Sequence, residues 1–218
     1  MTRNYFEKEL QELHLLMLKM CTIVEEALNN SVYALKNQDS TLAQSVIDGD
    51  DVIDDMEYAI EEKCLKLIAL QAPMAKDLRF IATAMKIITD LERIADHAVD
   101  ISKITVKLAD EIYIKALIDI PRMGEITTRM IKESIDAYVK QDAEKAKEVA
   151  MIDDEVDALH KQIFRELLLL MMEDPRKINQ ATNFILISKS LERIGDYVTN
   201  ICEKIIYAVT GEHLNLND

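Results

Sequence analysis

Rows of carboxylates spaced four residues apart are the side chains of this sequence best suited to binding chemistry. The rows consist of Glu92, Asp96 and Asp100 in the first half of the chain and of Glu192, Asp196 and Asn200 in the second. Because an α-helix turns about 100° per residue, this spacing keeps a row within an arc of roughly 80°. Like charges at this spacing repel by roughly 0.2–0.5 kcal/mol per pair. Such a row weakens its own helix unless cations compensate it.

A second row precedes each of these. Its members are Asp50, Asp54 and Glu57 in the first half and Asp153, Asp157 and His160 in the second. On a helix they share an arc of roughly 60°. If the helix that carries them lies beside the next one, the two rows of each half face each other and their oxygen atoms converge.

Metal ions are one class of cation that these rows would bind. Oxygen ligands favour magnesium, manganese, calcium or ferric iron, and His160 adds ferrous iron and zinc at the second site. Basic side chains are the alternative, since Arg93 and Arg193 directly follow the glutamates, and further candidates are Lys63, Lys86 and Lys103. Two other interpretations stay open: a solvated face of an acidic helical bundle, and an acidic surface that binds a protein partner without metal.

The rows belong to a unit that occurs twice. LERIAD at 91–96 returns as LERIGD at 191–196, and DDVIDDME from Asp50 matches DDEVDALH from Asp153. Turn signals recur as well, at Gln38-Asp39 and Gln141-Asp142 and at Pro73 and Pro175. A period near 100 residues indicates an internal duplication rather than a solenoid of short repeats.

The chain is predicted to be all-α, with three helices in each copy. Only 4 Gly and 3 Pro interrupt a sequence rich in Ala, Leu, Ile, Glu and Lys. We place the helices near 4–36, 40–70, 74–110, 121–139, 142–172 and 176–210. Short turns between long amphipathic helices predict two similar antiparallel three-helix bundles, residues 1–110 and 121–218, with residues 111–120 as the junction. In the third helix the apolar face comprises Phe80, Ala84, Ile87, Leu91, Ala95, Ala98 and Ile101.

The charge balance excludes several classes of partner. With 40 acidic against 26 basic residues the net charge is −14, which argues against nucleic-acid binding and against docking onto an anionic membrane. Glu7 and Glu9 lie where a signal peptide would need an apolar stretch. We expect a cytoplasmic protein without membrane insertion. The three widely separated cysteines, Cys21, Cys64 and Cys202, are expected to be reduced and buried.

No catalytic signature is present. The sequence offers neither a Ser/His/Asp or Cys/His set nor a glycine-rich loop for phosphate, and its acidic surface repels a free phosphate ion. We therefore expect no enzyme, and a response to phosphate that comes through a partner. Asp157 and His160 have the spacing used in di-iron bundles, which need two such pairs. A carboxylate-bridged metal-binding bundle with storage or oxidase activity is the alternative function.

The segments LERIAD, LERIGD, QAPMAKDLR, MMEDPRKI and NICEKIIYAVTGEH resemble the PhoU family over almost the whole chain. The resemblance implies two similar three-helix bundles and a cytoplasmic negative regulator of the phosphate-starvation response and of phosphate uptake. It also implies contacts with the ATPase subunit of the phosphate ABC transporter and with the phosphate-sensing membrane histidine kinase. Exposed apolar flanks of such a bundle favour a homodimer.

The resemblance further implies metal clusters bound through Glu/Asp-x-x-x-Asp motifs. Here these correspond to Glu92 with Asp96 and to Glu192 with Asp196, and iron, zinc, magnesium or manganese are the ions expected. Asn200 replaces an acid, and Phe164 stands where the first copy has Glu61. We therefore expect the second site to hold fewer ions, or a different one.

Overall fold

The computed structural model of the chain describes the backbone of residues 3–216 and the side chains from Tyr5 to Leu216. Within this range the elements are α1 Arg3–Asn37, α2 Ser40–Asp48, α3 Asp50–Gln71, α4 Ala75–Leu108, α5 Asp119–Lys140, α6 Ala143–Ala150, α7 Asp153–Glu173, a 3₁₀ turn Pro175–Lys177 and α8 Ile178–Thr210. No β-strand occurs in the part of the chain described, and the all-α prediction is confirmed. The outermost residues of the predicted units, 1–2 and 217–218, lie outside it.

The two halves of the chain repeat one arrangement of helices. In the first half α1 and α3 pack against α4, and in the second half α5 and α7 pack against α8. The prediction of two similar three-helix bundles is confirmed. The longest interface joins α4 to α8, so the two bundles share one continuous hydrophobic core. The division into units 1–110 and 121–218 with a junction at 111–120 stays a prediction.

Two predicted helices are wrong in extent, those near 40–70 and 142–172. Each is split in two, at Gly49 in the first copy and at residues 151–152 in the second. The residues after the breaks favour new helix starts, because acidic side chains that include Asp51, Asp154 and Glu155 occupy the first turns of α3 and α7. Carboxylates stabilise a helix at its N-terminus, where the helix dipole is positive. The breaks therefore place one carboxylate of each row at the start of a helix.

The turn after the first helix of each copy is built in the same way. Gln38 and Gln141 adopt φ values of 54° and 55°, in the left-handed region. The next residues, Asp39 and Asp142, cap the following helices by accepting a hydrogen bond from the amide three residues on, at 2.9 Å in both copies. The turns predicted at these positions are confirmed, and Asp174 likewise caps the turn that begins with Pro175.

The apolar face predicted for α4 lies in the core. Its seven residues are at most 4% exposed, and all of them belong to the hydrophobic core cluster. The three cysteines are free and buried, as predicted. None of the helices within residues 3–216 is long and apolar enough to cross a membrane.

Candidate functional site

The first acidic cluster forms where α3 packs against α4. It consists of Asp50, Asp54 and Glu57 from α3 and Glu92 and Asp96 from α4, so the two predicted rows face each other. Burial raises the pKa of Glu92 to about 7, and the charges of Asp96, Glu57 and Asp54 add to this effect. The pKa values of Asp50 and Asp54 are also raised, first by burial and then by neighbouring carboxylates that include Asp96. The cluster thus concentrates negative charge on partly buried oxygens.

Asp100 and Asn200 lie at the far end of their rows. The Asp100 side chain is 58% exposed, and its carboxylate is 3.8 Å from the Lys103 ammonium on the same helix. Asn200 is half-buried at the corresponding position of α8.

Basic and hydroxyl side chains compensate part of the first cluster. Arg93 contacts both Glu92, at 3.4 Å, and Asp96, at 3.0 Å. The Thr89 hydroxyl donates to the Glu57 carboxylate at 2.7 Å. Basic side chains therefore compensate part of the row, as one of the alternatives inferred from the sequence expected. Of the predicted lysines, Lys63 pairs with glutamates of α1 instead.

The second acidic cluster forms in the same way between α7 and α8. Its members are Asp153, Asp157 and His160 from α7 and Glu192 and Asp196 from α8. Each has a neighbour in the structure: Lys161 pairs with Asp157 at 2.8 Å, Arg193 with Asp196 at 3.1 Å and Lys189 with Glu192. His160 places its Nδ1 atom 3.0 Å from the Ser188 hydroxyl, and burial lowers its pKa. A neutral imidazole is the form of histidine that binds metal.

Asp153 differs from the other carboxylates because one of its oxygens is buried without a hydrogen bond. Its Oδ1 atom has no partner, and its Oδ2 atom accepts a long hydrogen bond of 3.4 Å from Thr199. Burial raises its pKa to about 7, and the charges of Asp196 and Asp157 contribute. Burying a carboxylate oxygen without a hydrogen bond costs free energy, so a cation or a proton at this atom would stabilise the folded protein.

Gly195 creates the space that this carboxylate occupies. A Cβ atom at position 195 would lie 2.1 Å from Oδ1 of Asp153, which no real contact allows. The first copy has Ala95 at the equivalent position. The glycine that distinguishes LERIGD from LERIAD therefore lets the Asp153 carboxylate approach α8 more closely than a Cβ atom would allow.

A cavity of about 470 Å³ opens beside the second acidic cluster. Four of its side chains carry a carboxylate and one an ammonium group. The lining consists of Lys147, Ala150, Met151, Asp153, Asp154, Asp157, Asp196 and Leu216. Negative charge in a concave site attracts cations and basic groups of a partner.

The donor chemistry of both clusters fits a cation, although their side chains do not yet form a coordination shell. Carboxylate oxygens with raised pKa values and the orphaned Oδ1 of Asp153 are ligands of the type that hard cations prefer. No group of three or more His, Cys, Asp or Glu side chains within residues 3–216 is arranged to hold a metal ion. Binding would therefore require side-chain rotation.

Six residues around these clusters were not predicted from the sequence. Thr89, Thr199, Lys161 and Lys189 contact cluster carboxylates, Ser188 contacts His160, and Gly195 makes room for Asp153. Only Gly195 left a signal, as the single difference between the duplicated hexapeptides.

The profile of the PhoU domain matches residues 17–105 and 120–205, once in each copy. The chain belongs to the PhoU family. A relative from Clostridium acetobutylicum, described as a phosphate-specific transport system accessory protein PhoU homolog, is 48% identical over 219 residues and 100% of both chains. The homolog from Pseudomonas aeruginosa is 40% identical over 94% of this chain and 86% of its own. The resemblance inferred from the sequence is confirmed.

Two crystal structures of PhoU proteins have the same fold. The Pseudomonas aeruginosa structure has a TM-score of 0.90 and 39% identity, and covers 95% of this chain and 100% of its own. The Streptococcus pneumoniae structure, described as a phosphate transport system regulatory protein, has a TM-score of 0.89 and 31% identity, covering 96% and 99%. The likeness spans both bundles of this PhoU-family chain.

Proposed function

We propose that this chain is a non-enzymatic, cytoplasmic negative regulator of the phosphate-starvation response and of phosphate uptake. The observation that carries the proposal is the match over the full length of a phosphate transport accessory protein at 48% identity. Both acidic clusters lie within the matched domain ranges. Partner binding, rather than catalysis, is the activity that such clusters support.

The mechanism that we propose is that of an adaptor between the transporter ATPase subunit and the membrane histidine kinase. Each bundle carries one acidic cluster, so the molecule has two related surfaces that differ in detail. Charge on an interface directs partner choice and association rate more than it adds affinity. Two unlike acidic surfaces suit two different partners with basic faces.

We further propose that the clusters bind metal, with iron, zinc, magnesium or manganese as the candidate ions. The ligands would be Asp50, Asp54, Glu57, Glu92 and Asp96 in the first cluster and Asp153, Asp157, His160, Glu192 and Asp196 in the second. A bound cation supplies positive charge that neutralises the facing rows. The side chains in turn would fix the spacing of α3 against α4 and of α7 against α8, and they would release protons on binding.

Metal content of the purified protein tests this part of the proposal. Protein prepared without chelator or nickel affinity resin is compared with a Glu192→Ala, Asp196→Ala double variant. Metal retained by the wild type and reduced in the variant is expected. The matched control is Glu144→Ala, Glu148→Ala, which removes two carboxylates at the same four-residue spacing from α6, outside both clusters. No metal in any of the three proteins would leave the clusters as direct docking surfaces.

A homodimer is also proposed, on the evidence of an apolar strip on α7. Phe164, Leu168, Leu169 and Met172 are 43–74% exposed on this helix, and exposed apolar patches favour association. Sedimentation equilibrium is expected to give twice the chain mass of 24.9 kDa. A single chain mass at all concentrations would contradict the dimer.

A further inference from the structure

A second cavity lies further along α8, beginning two turns after Asp196, the residue of α8 that lines the acidic cavity. Its volume is about 240 Å³, which is below the roughly 300–1,000 Å³ of pockets that hold drug-sized ligands. It lies between the N-terminal half of α4, the C-terminal part of α8 and the segment after α8. The lining consists of Ala82, Thr83, Lys86, Glu203, Lys204, Tyr207, His213 and Leu214. Its size suits a small ion rather than an extended ligand.

The segment after α8 forms one wall of this cavity. The chain turns at Gly211, whose φ is +81° and whose amide donates to the Tyr207 carbonyl at 2.8 Å. The His213 ring then stacks on the Tyr207 ring, with centroids 4.1 Å apart and planes 15° from parallel. Further along, the Leu216 amide donates to the Glu203 carboxylate at 2.6 Å. These contacts fold residues 211–216 back along α8.

The cavity is lined by a cation that no carboxylate of the described chain neutralises. Lys86 has no ion pair among residues 5–216, in a protein with 40 acidic and 26 basic residues. The neighbouring Lys204 is already paired with the buried Asp90. Arg79, two turns before Lys86 on α4, borders the wall at Gly211 and donates from Nε to a main-chain carbonyl at 3.4 Å. Lys86 and Arg79 therefore carry two positive charges beside the one negative charge of Glu203, the carboxylate of the lining, so a net positive charge remains at this place.

A buried hydroxyl lies between these two cations. Thr83 is 3% exposed and lines the cavity, on the same face of α4 as Arg79 and Lys86, because residues at i, i+4 and i+7 share one side of a helix. A hydroxyl donates to an anion as readily as it accepts. The face thus offers donors of two kinds.

The duplicated copy does not reproduce this arrangement. At an offset of 100 residues, Arg79, Thr83 and Lys86 correspond to Asn179, Asn183 and Leu186. The second copy forms the same bundle without these cations, so the fold does not require Arg79 and Lys86.

We propose that this cavity binds a small oxyanion, either inorganic phosphate or a terminal phosphate group of a larger molecule. Lys86 supplies charge-assisted hydrogen bonds, Thr83 and His213 supply further donors, and Arg79 adds positive charge beside the wall at Gly211. Glu203 is the carboxylate in the lining, and it accepts a hydrogen bond from a protonated phosphate oxygen, which sulfate does not carry near neutral pH. The site therefore favours phosphate over sulfate. Long-range repulsion from the net charge of −14 limits the affinity without removing the local preference.

Backbone amide NMR titrations at constant ionic strength test this inference, with inorganic phosphate, sulfate and AMP as separate probes. Phosphate is expected to shift the amides of residues 79–86 and 203–214, more strongly than sulfate does. Lys86→Gln should weaken phosphate binding roughly tenfold, the loss expected for one charged hydrogen bond, and Thr83→Val should weaken it less. Lys66→Gln, on an exposed position of α3, is the matched control and should bind as the wild type does.

The outcome with AMP identifies the source of the phosphate group. Tighter binding of AMP than of inorganic phosphate supports a larger phosphorylated molecule, and the reverse order supports the free ion. No shift in the two segments at millimolar phosphate would overturn the inference, and so would equal affinity in the wild type and Lys86→Gln. Neither result depends on metal or on the transporter, so a failure here is distinct from a failure of the proposed regulatory function.

Discussion

The Asp153 carboxylate is buried because Gly195 lacks the methyl group that Ala95 carries in the first copy. Gly195 lets the Oδ1 atom of Asp153 lie against α8 without a hydrogen bond, and burial then raises its pKa to about 7. The ionised carboxylate is less well stabilised in the folded protein than it is by water in the unfolded chain. At neutral pH this residue therefore opposes folding, unless a cation or a proton compensates it.

The pH dependence of stability follows from this pKa. The folded protein binds the Asp153 proton more tightly than the unfolded chain does, so wild-type stability falls as pH rises from about 4 towards about 7. Asp153→Asn removes this loss, and the variant should unfold at a higher temperature than the wild type at pH 8 and at a similar one near pH 4. Thermal unfolding in metal-free buffer across this range measures it. Asp154→Asn, one residue on and exposed, is the control, and an equal effect of both substitutions would contradict the assignment to Asp153.

The rows themselves were predictable from residue spacing, while their contacts were not. A four-residue period fixes which side of a helix Glu92 and Asp96 share, whatever the helix packs against. The contacts of Thr199 and Lys189 depend on side-chain rotamers and on how α7 is aligned with α8. The spacing of residues along one helix gives no information on either. The burial of Asp153 depends on Gly195 in the same way.

At the scale of the helices, the duplicated caps are the most regular feature. Asp39 and Asp142 each accept one amide hydrogen bond at 2.9 Å after a residue with positive φ. Because these residues come from the sequence pairs Gln38-Asp39 and Gln141-Asp142, the turns were predictable. The split of the second helix was not, because the hydrophobic period continues through a break of one or two residues, and only the acidic first turns of α3 and α7 mark it.

Loss of either cap should therefore cost the same free energy of unfolding. Asp39→Ala and Asp142→Ala are each expected to destabilise the protein by about 1 kcal/mol, and the double variant by roughly the sum. Urea denaturation monitored by circular dichroism measures the change. Asp39→Asn and Asp142→Asn keep an accepting oxygen and should lose much less. A large loss in the Asn variants as well would show that the charge, rather than the cap, is what matters.

At the scale of the whole molecule, the duplication gives two related acidic clusters on bundles that share one hydrophobic core. α4 and α8 carry one row each and also form the central interface between the bundles, where His97 and Tyr197, at equivalent positions, lie with ring centroids 5.9 Å apart. The packing of α4 against α8 therefore sets the position of one cluster relative to the other. Such an arrangement suits an adaptor that contacts two partners at once, and the all-α duplicated fold behind it was predictable from the repeat.

Binding to the purified ATPase subunit of the phosphate transporter tests the central claim most directly. Affinity is measured by biolayer interferometry, with and without added metal, for the wild type, for Glu92→Ala, Asp96→Ala and for Glu192→Ala, Asp196→Ala. Circular dichroism checks that helicity is intact in each protein, and Glu144→Ala, Glu148→Ala controls for the loss of net charge. The adaptor account predicts that the wild type and the control bind and that at least one cluster variant binds at least tenfold more weakly. Unchanged binding by both cluster variants, or no binding by the wild type, would contradict it.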